Sequence, residues 1–101
     1  MAIIRHYQMT AISGREDDLK SALVLLAQKV SAMDGCVELQ IFQDPKATET
    51  FIFIERWRSL ADHEASGKVL GREAFSNVMA ALSTPLLARY LEPVCQVHPV
   101  G

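Results

Sequence analysis

Cys36 and Cys95 are the only cysteines, too few for a fold stapled by a disulfide framework. Charge of one sign is also lacking. The net charge at pH 7 is −2, so no basic field draws the chain to nucleic acid. No apolar run approaches the ~18 residues that would span a membrane. The opening residues Met-Ala-Ile-Ile-Arg-His lack the basic start and long apolar core of a secretory signal. A cytoplasmic protein with reduced thiols is therefore expected.

Chemical fingerprints are missing too. There is no glycine-rich phosphate loop, no Cys-x-x-Cys or His-x-x-x-His, and no Gly-x-Ser-x-Gly elbow. No nicotinamide or flavin signature occurs. An enzyme built on this chain is expected to use no metal and no organic cofactor. Repeats, linkers and low-complexity tracts are absent as well, so residues 1–101 read as one domain.

What is present is hydrophobic surface. Half of the 101 residues are apolar, much for a domain that buries only somewhat over ~60% of its unfolded surface. A second copy of the chain is the simplest cover for the surplus.

Residues 2–9 alternate as a first strand, with Ile3, Arg5, Tyr7 and Met9 on one face and Ile4, His6 and Gln8 on the other. Ser13 and Glu16 fit a capping box, and Asp17 and Asp18 favour the same helix start. Leu19, Ala22, Leu23, Leu26, Ala27, Val30 and Met33 then recur with helical spacing, and Gly35 suits a left-handed cap. Residues 36–43 and 49–57 read as a hairpin around a turn at 44–48. Phe51-Ile52-Phe53-Ile54 is apolar on both faces, which calls for cover on both sides of the sheet.

Ser59 is a candidate N-cap for a short helix to residue 66. A second long helix is predicted over 72–83, stopped by Thr84-Pro85, and a last strand over 86–97 with Pro93 at an edge or bulge. The order β-α-β-β-α-α-β predicts an α+β fold of ferredoxin-like type: a four-stranded antiparallel sheet with two long helices on one face. The other face is expected to pair with a second copy.

Polar groups beside apolar walls are the remaining candidates for chemistry. The chain's single tryptophan, Trp57, ends the third strand, and His63 follows across the strand-to-helix corner. A neutral imidazole can take or give a proton near pH 7. An exposed helix surface is the plainer fate of His63, and core packing that of Trp57. Arg5 and His6 could each bind a phenolate or carboxylate, but only one of them can face the helices. Phe53 is a candidate cavity wall, Asn77 a hydrogen-bonding group or a solvated one, and Tyr90 a pocket or dimer contact. Glu55 and Arg56 read by default as cross-strand partners. The thiols of Cys36 and Cys95 read as inert packing groups.

Three stretches carry a family likeness: Met33-Asp34-Gly35-Cys36, Phe51-Ile-Phe-Ile-Glu-Arg-Trp57-Arg-Ser59, and Asp62-His63-Glu-Ala-Ser66. With the element order, they make the chain resemble the antibiotic biosynthesis monooxygenase family, which includes small quinol monooxygenases. The resemblance implies a dimeric α/β barrel of two ferredoxin-like units, each with a ligand cavity between helices and sheet. It implies a small aromatic substrate and O₂ as partners, with no metal or flavin. Under it, His63 and Trp57 are the catalytic pair, His63 assisting proton transfer and Trp57 orienting the ring. Arg5 or His6 would hold a developing oxyanion, with Phe53, Asn77 and Tyr90 as further substrate contacts.

The chain departs from haem-degrading relatives, having no Asn on the first strand and no His on the second long helix. Gly67-Lys-Val-Leu-Gly71 is irregular for the family. Two other readings share the architecture: a non-catalytic ligand-binding or stress-response barrel, and an isomerase or carbonyl-compound-degrading enzyme.

Overall fold

Alternating apolar side chains in two strands fix which sheet face the helices cover. A computed structural model describes residues 2–100, so the domain range 1–101 extends to Met1 and Gly101, outside the described residues. The elements are β1 (Ile3–Thr10), α1 (Glu16–Ser31), β2 (Cys36–Gln43), β3 (Thr50–Trp57), α2 (Leu60–Leu70), a 3-10 turn (Glu73–Phe75), α3 (Ser76–Ala80) and β4 (Leu87–Leu91). The strands pair antiparallel in the order β2-β3-β1-β4. With the helices on one face, this is the ferredoxin-like α+β fold that the element order predicts.

The β1–β3 register sets Ile3 beside Trp57, Arg5 beside Glu55, Tyr7 beside Phe53 and Met9 beside Phe51. Those side chains share the helix-covered face. Met9, Phe51, Phe53 and Trp57 join Leu19, Leu23, Leu26 and Val30 of α1 in one buried cluster. The long apolar stripe of α1 is therefore the lid of the core.

Four local expectations change. The capping box does not form at Ser13: α1 begins at Glu16 with Arg15 as its N-cap. Gly14 turns the chain at φ 87°, and its own N–H, not that of Ser13, donates to Glu16 Oε1 at 3.1 Å. Arg15 instead ties the helix start to α3, donating from Nη1 to the Ala80 carbonyl at 3.0 Å.

The short helix is longer than predicted, running through Gly67 to Leu70. Ser59 does cap it, accepting from the Asp62 N–H at 3.1 Å.

The second long helix is not there. In its place stand the 3-10 turn and the five-residue α3. The end of β1 competes for that backbone: Ile12 N–H donates to the Ala81 carbonyl at 2.8 Å and Ser83 N–H to the Thr10 carbonyl at 2.9 Å. Ala11 and Leu82 also form a β-bridge. Residues 81–83 thus satisfy their polar groups against a strand end, and the helix stops before them.

β4 ends at Leu91, so Pro93 lies beyond the strand and not within it. With no N–H to give to a ladder, Pro93 is a poor continuation of any strand.

Gly35 does adopt the left-handed conformation, at φ 85°, in the turn between α1 and β2. A Cβ there would meet the Asp62 side chain at 2.6 Å, so only glycine lets α2 approach this turn so closely.

The opposite sheet face carries Ile4, Ile52 and Ile54, half-buried, together with Phe42 (46% exposed) and Leu87 (64% exposed).

Candidate functional site

Strand parity assembles a polar cluster within the apolar layer. Glu55 and Trp57 lie on the same face of β3, both buried. The β1 register places Arg5 beside Glu55, and the β4 register places Tyr90 on the other side of Arg5. The capped start of α2 brings His63 down over Trp57. Arg58 holds that start in place: Nε and Nη2 donate to the two Asp62 carboxylate oxygens at 2.8 and 3.2 Å, and its N–H donates to the Gly35 carbonyl at 2.8 Å.

The contacts are short. Trp57 Nε1–H donates to Glu55 Oε1 at 3.0 Å. His63 Nε2 lies 3.6 Å from that same oxygen. On its other side, His63 Nδ1 meets the Tyr90 hydroxyl at 2.7 Å. The His63 ring stands edge-on to both aromatics, 5.5 Å from Trp57 and 5.4 Å from Tyr90 between centroids. The Arg5 guanidinium lies 4.3 Å from the Tyr90 ring centre and 5.1 Å from that of Tyr7. Arg5 Nε is buried without a hydrogen-bond partner. A buried donor left free in this way is costly unless something occupies it.

The electrostatics are those of a partly desolvated site. Burial pushes the Glu55 carboxyl above its usual range, against the Trp57 hydrogen bond and the charge of Arg5. Burial and then Arg5 push His63 below its usual range, against Glu64. A Glu55 carboxylate at 3.6 Å opposes that shift whenever it is ionised. Tyr7 is raised by burial and by Glu55. His63 is therefore a neutral imidazole near pH 7, able to accept a proton.

The residues expected at a site separate into two groups. Arg5, Trp57, His63 and Tyr90 come together. Phe53 shares their face, is 1% exposed, and packs against Tyr7 at 6.0 Å between centroids. His6 is on the opposite face, beside Gln8, Leu87 and Arg89. Asn77 lies in a surface groove between α1 and α3 with Arg15 and Asp18. Glu55 and Tyr7 belong to the cluster although residue type alone marks neither. Their positions, two residues from Trp57 and two from Arg5, were the available signal, because a strand repeats its face every second residue.

Next to the cluster runs a narrow apolar cleft of about 20 Å³, lined by Tyr7, Met9, Leu26, Phe53, Phe75 and Leu86. That is room for about one water molecule. Among the described residues, no group of three or more His, Cys, Asp or Glu side chains is placed to hold a metal ion. No helix of the described residues is long and apolar enough to cross a membrane.

Fold and site together define a ferredoxin-like α+β domain with an aromatic, acid–base cluster beneath its helices. The chain belongs to the antibiotic biosynthesis monooxygenase family, which matches residues 2–80. No curated protein matches the chain. Among solved structures, it is similar to a candidate antibiotic biosynthesis monooxygenase from Chloroflexus aurantiacus, with 28% identity, 100% of both chains covered and a TM-score of 0.80. It is also similar to PA3566 from Pseudomonas aeruginosa, at 23% identity, covering 93% of this chain and 95% of that one, with a TM-score of 0.76. SnoaB from Streptomyces nogalater, a cofactor-independent oxygenase, superposes with a TM-score of 0.82 at 9% identity, over 95% of this chain and 96% of that one. At such low identity the SnoaB likeness concerns the fold.

Proposed function

We propose that this chain is a cofactor-independent monooxygenase that acts on a small aromatic quinol or polyphenol with O₂. The observation that carries the reading is His63, set against the Trp57 ring beside an Arg5 guanidinium whose Nε has no partner, with burial shifting the imidazole toward its neutral form. Deprotonation of an electron-rich phenol gives an anion able to reduce O₂ directly. One oxygen atom enters the ring, the other leaves as water, and the substrate supplies the electrons. The site has to accept a proton, hold the anion and exclude water. His63 fills the first role and Arg5 the second. Trp57 and Phe53 form the dry wall.

A bicyclic ring does not fit a 20 Å³ cleft. Binding therefore requires Phe75 and Leu86, on the connector between α2 and β4, to move outward.

The partner for the open sheet face is a second copy of the chain. Phe42, Leu87 and the three isoleucines of that face form a stripe suited to burial against its own likeness. Light scattering on the eluted protein is expected to give twice the chain mass. A monomer at micromolar concentration would overturn this part.

The test of activity is an oxygen-electrode screen with reduced naphthoquinones and anthrones, with a parallel anaerobic arm. Expected is O₂ uptake that depends on protein and yields the hydroxylated quinone or anthraquinone. Turnover of a carbonyl compound without O₂ would favour the isomerase-type alternative. Binding with no turnover would favour the ligand-binding one.

A further inference from the structure

We propose that the Tyr90 hydroxyl is the catalytic group that meets the substrate, with His63 as its proton partner and Glu55 as the positioning residue behind them. For its substrate this rests on the oxygenase reading above; the hydrogen-bond geometry stands without it.

Three elements converge on one imidazole. β3 supplies Glu55, α2 supplies His63 and β4 supplies Tyr90. An ionised carboxylate can only accept hydrogen bonds. Glu55 faces Nε2 of His63, so the single ring proton of the neutral imidazole belongs on Nε2. At 3.6 Å the contact is longer than a hydrogen bond, but the charge of an ionised carboxylate still favours a proton on the ring nitrogen nearest to it. Nδ1 is then a bare lone pair, 2.7 Å from the Tyr90 oxygen. The only hydrogen available to that contact is the phenolic one, so Tyr90 donates to His63.

The order is hydroxyl, imidazole, carboxylate, in which a base activates a hydroxyl and an acid fixes the base. Tyr90 is 40% exposed, whereas Glu55 is 3% exposed. The chain of groups thus runs from the surface to the core, with its outer end free to touch a ligand. The Arg5 guanidinium, 4.3 Å from the Tyr90 ring centre, lies within cation–π reach and packs against that ring.

The proton step balances within these groups. The substrate O–H proton passes to the Tyr90 oxygen as the Tyr90 proton passes to His63 Nδ1. The substrate becomes a phenolate and His63 an imidazolium, and the unprotonated Glu55 stabilises that charge. Tyr90 lies outside the stretch 2–80 that the family matches.

The test is ¹⁵N NMR of the three histidine rings near pH 7, with His63 assigned through His63→Gln. Expected is an Nε2–H tautomer for His63. In Tyr90→Phe the tautomer persists while the Nδ1 resonance shifts, reporting the lost donor. In Glu55→Gln the Nε2–H preference weakens. That variant stays folded, because Gln still offers an oxygen to Trp57 and no longer buries a charge; its thermal midpoint at pH 7 is not lowered. An Nδ1–H tautomer in the wild type, which a protonated Glu55 would impose, overturns the proposal. With a substrate from the oxygen screen, Tyr90→Phe is expected to lower kcat at least 100-fold with KM little changed. Full kcat in that variant would reduce Tyr90 to a wall. The NMR arm is read even if no quinol is turned over, so the two readings fail separately.

Discussion

Trp57→Ala is expected to lower folding stability by about 3–5 kcal/mol, the usual range for deleting a large buried aromatic. Trp57 is 1% exposed and is among the largest fully buried side chains. It also gives Glu55 its only side-chain hydrogen bond among the described residues, at 3.0 Å. The alanine variant thus leaves both a cavity and a buried carboxyl without its donor. A domain of this size has roughly 5–15 kcal/mol in total, so the loss is a large share of it. Urea unfolding followed by circular dichroism should show a much lower midpoint with an unchanged slope. Trp57→Phe separates the two causes by keeping most of the ring volume and removing the N–H. It should cost about 1–3 kcal/mol. An alanine variant less than about 1 kcal/mol weaker would mean that the ring is not packed as described. Loss of activity in Trp57→Ala therefore says nothing specific about catalysis, and Trp57→Phe is the variant to assay.

His63→Ala is expected to do the reverse: little harm to stability and a 10²–10⁴-fold loss of kcat, the range for removing a general base. His63 sits at the edge of the core on a well-capped helix, so its removal leaves a dent and not a sealed cavity. Thermal midpoints close to wild type, beside a kcat that is unchanged, would remove His63 from the mechanism.

The pH profile carries a sign. His63 is held below the ordinary value of 6.5 by burial and by Arg5, with Glu64 opposing. Glu55 and Tyr90 also face its ring. The active form is the neutral one, so kcat should persist as pH falls through 6.5 and decline only at the lowered value. The same shift makes the contribution of His63 to stability complete above 6.5 and lost as pH falls toward the folded value. Glu55 runs oppositely. Its raised folded value means that stability is lost as pH rises through it, which is why Glu55→Gln is not expected to destabilise near pH 7.

Much of this was legible in the chain. The period-two pattern of residues 2–9 already puts Arg5 and Tyr7 together and His6 opposite, because side chains alternate across a pleated strand. The apolar stripe from Leu19 to Met33 is long enough for a helix whatever surrounds it. Ser59 caps the helix that carries His63, since that cap needs only the next three residues. Absence of basic character and of phosphate or metal fingerprints had already removed several function classes.

Other features depended on parts of the chain that are distant in sequence. The stretch 72–83 has helical spacing, yet residues 81–83 bond to the end of β1, and no local propensity reveals that competitor. Asn77, on α3, lines a surface groove with Arg15 and Asp18, away from the cluster. Which of Arg5 and His6 meets the cluster depended on which face the helices cover. Glu55 reads as an ordinary strand carboxylate until the registers β1–β3 and β1–β4 place Arg5 and Tyr90 in line with it and α2 lowers His63 onto it. Sequence by itself determined the first three strands, α1, the capped start of α2 and the alternation of side chains along β1, because those follow from neighbours along the chain. Tertiary structure alone decided the Glu55–His63–Tyr90 alignment, because three separate segments must meet around one imidazole to create it.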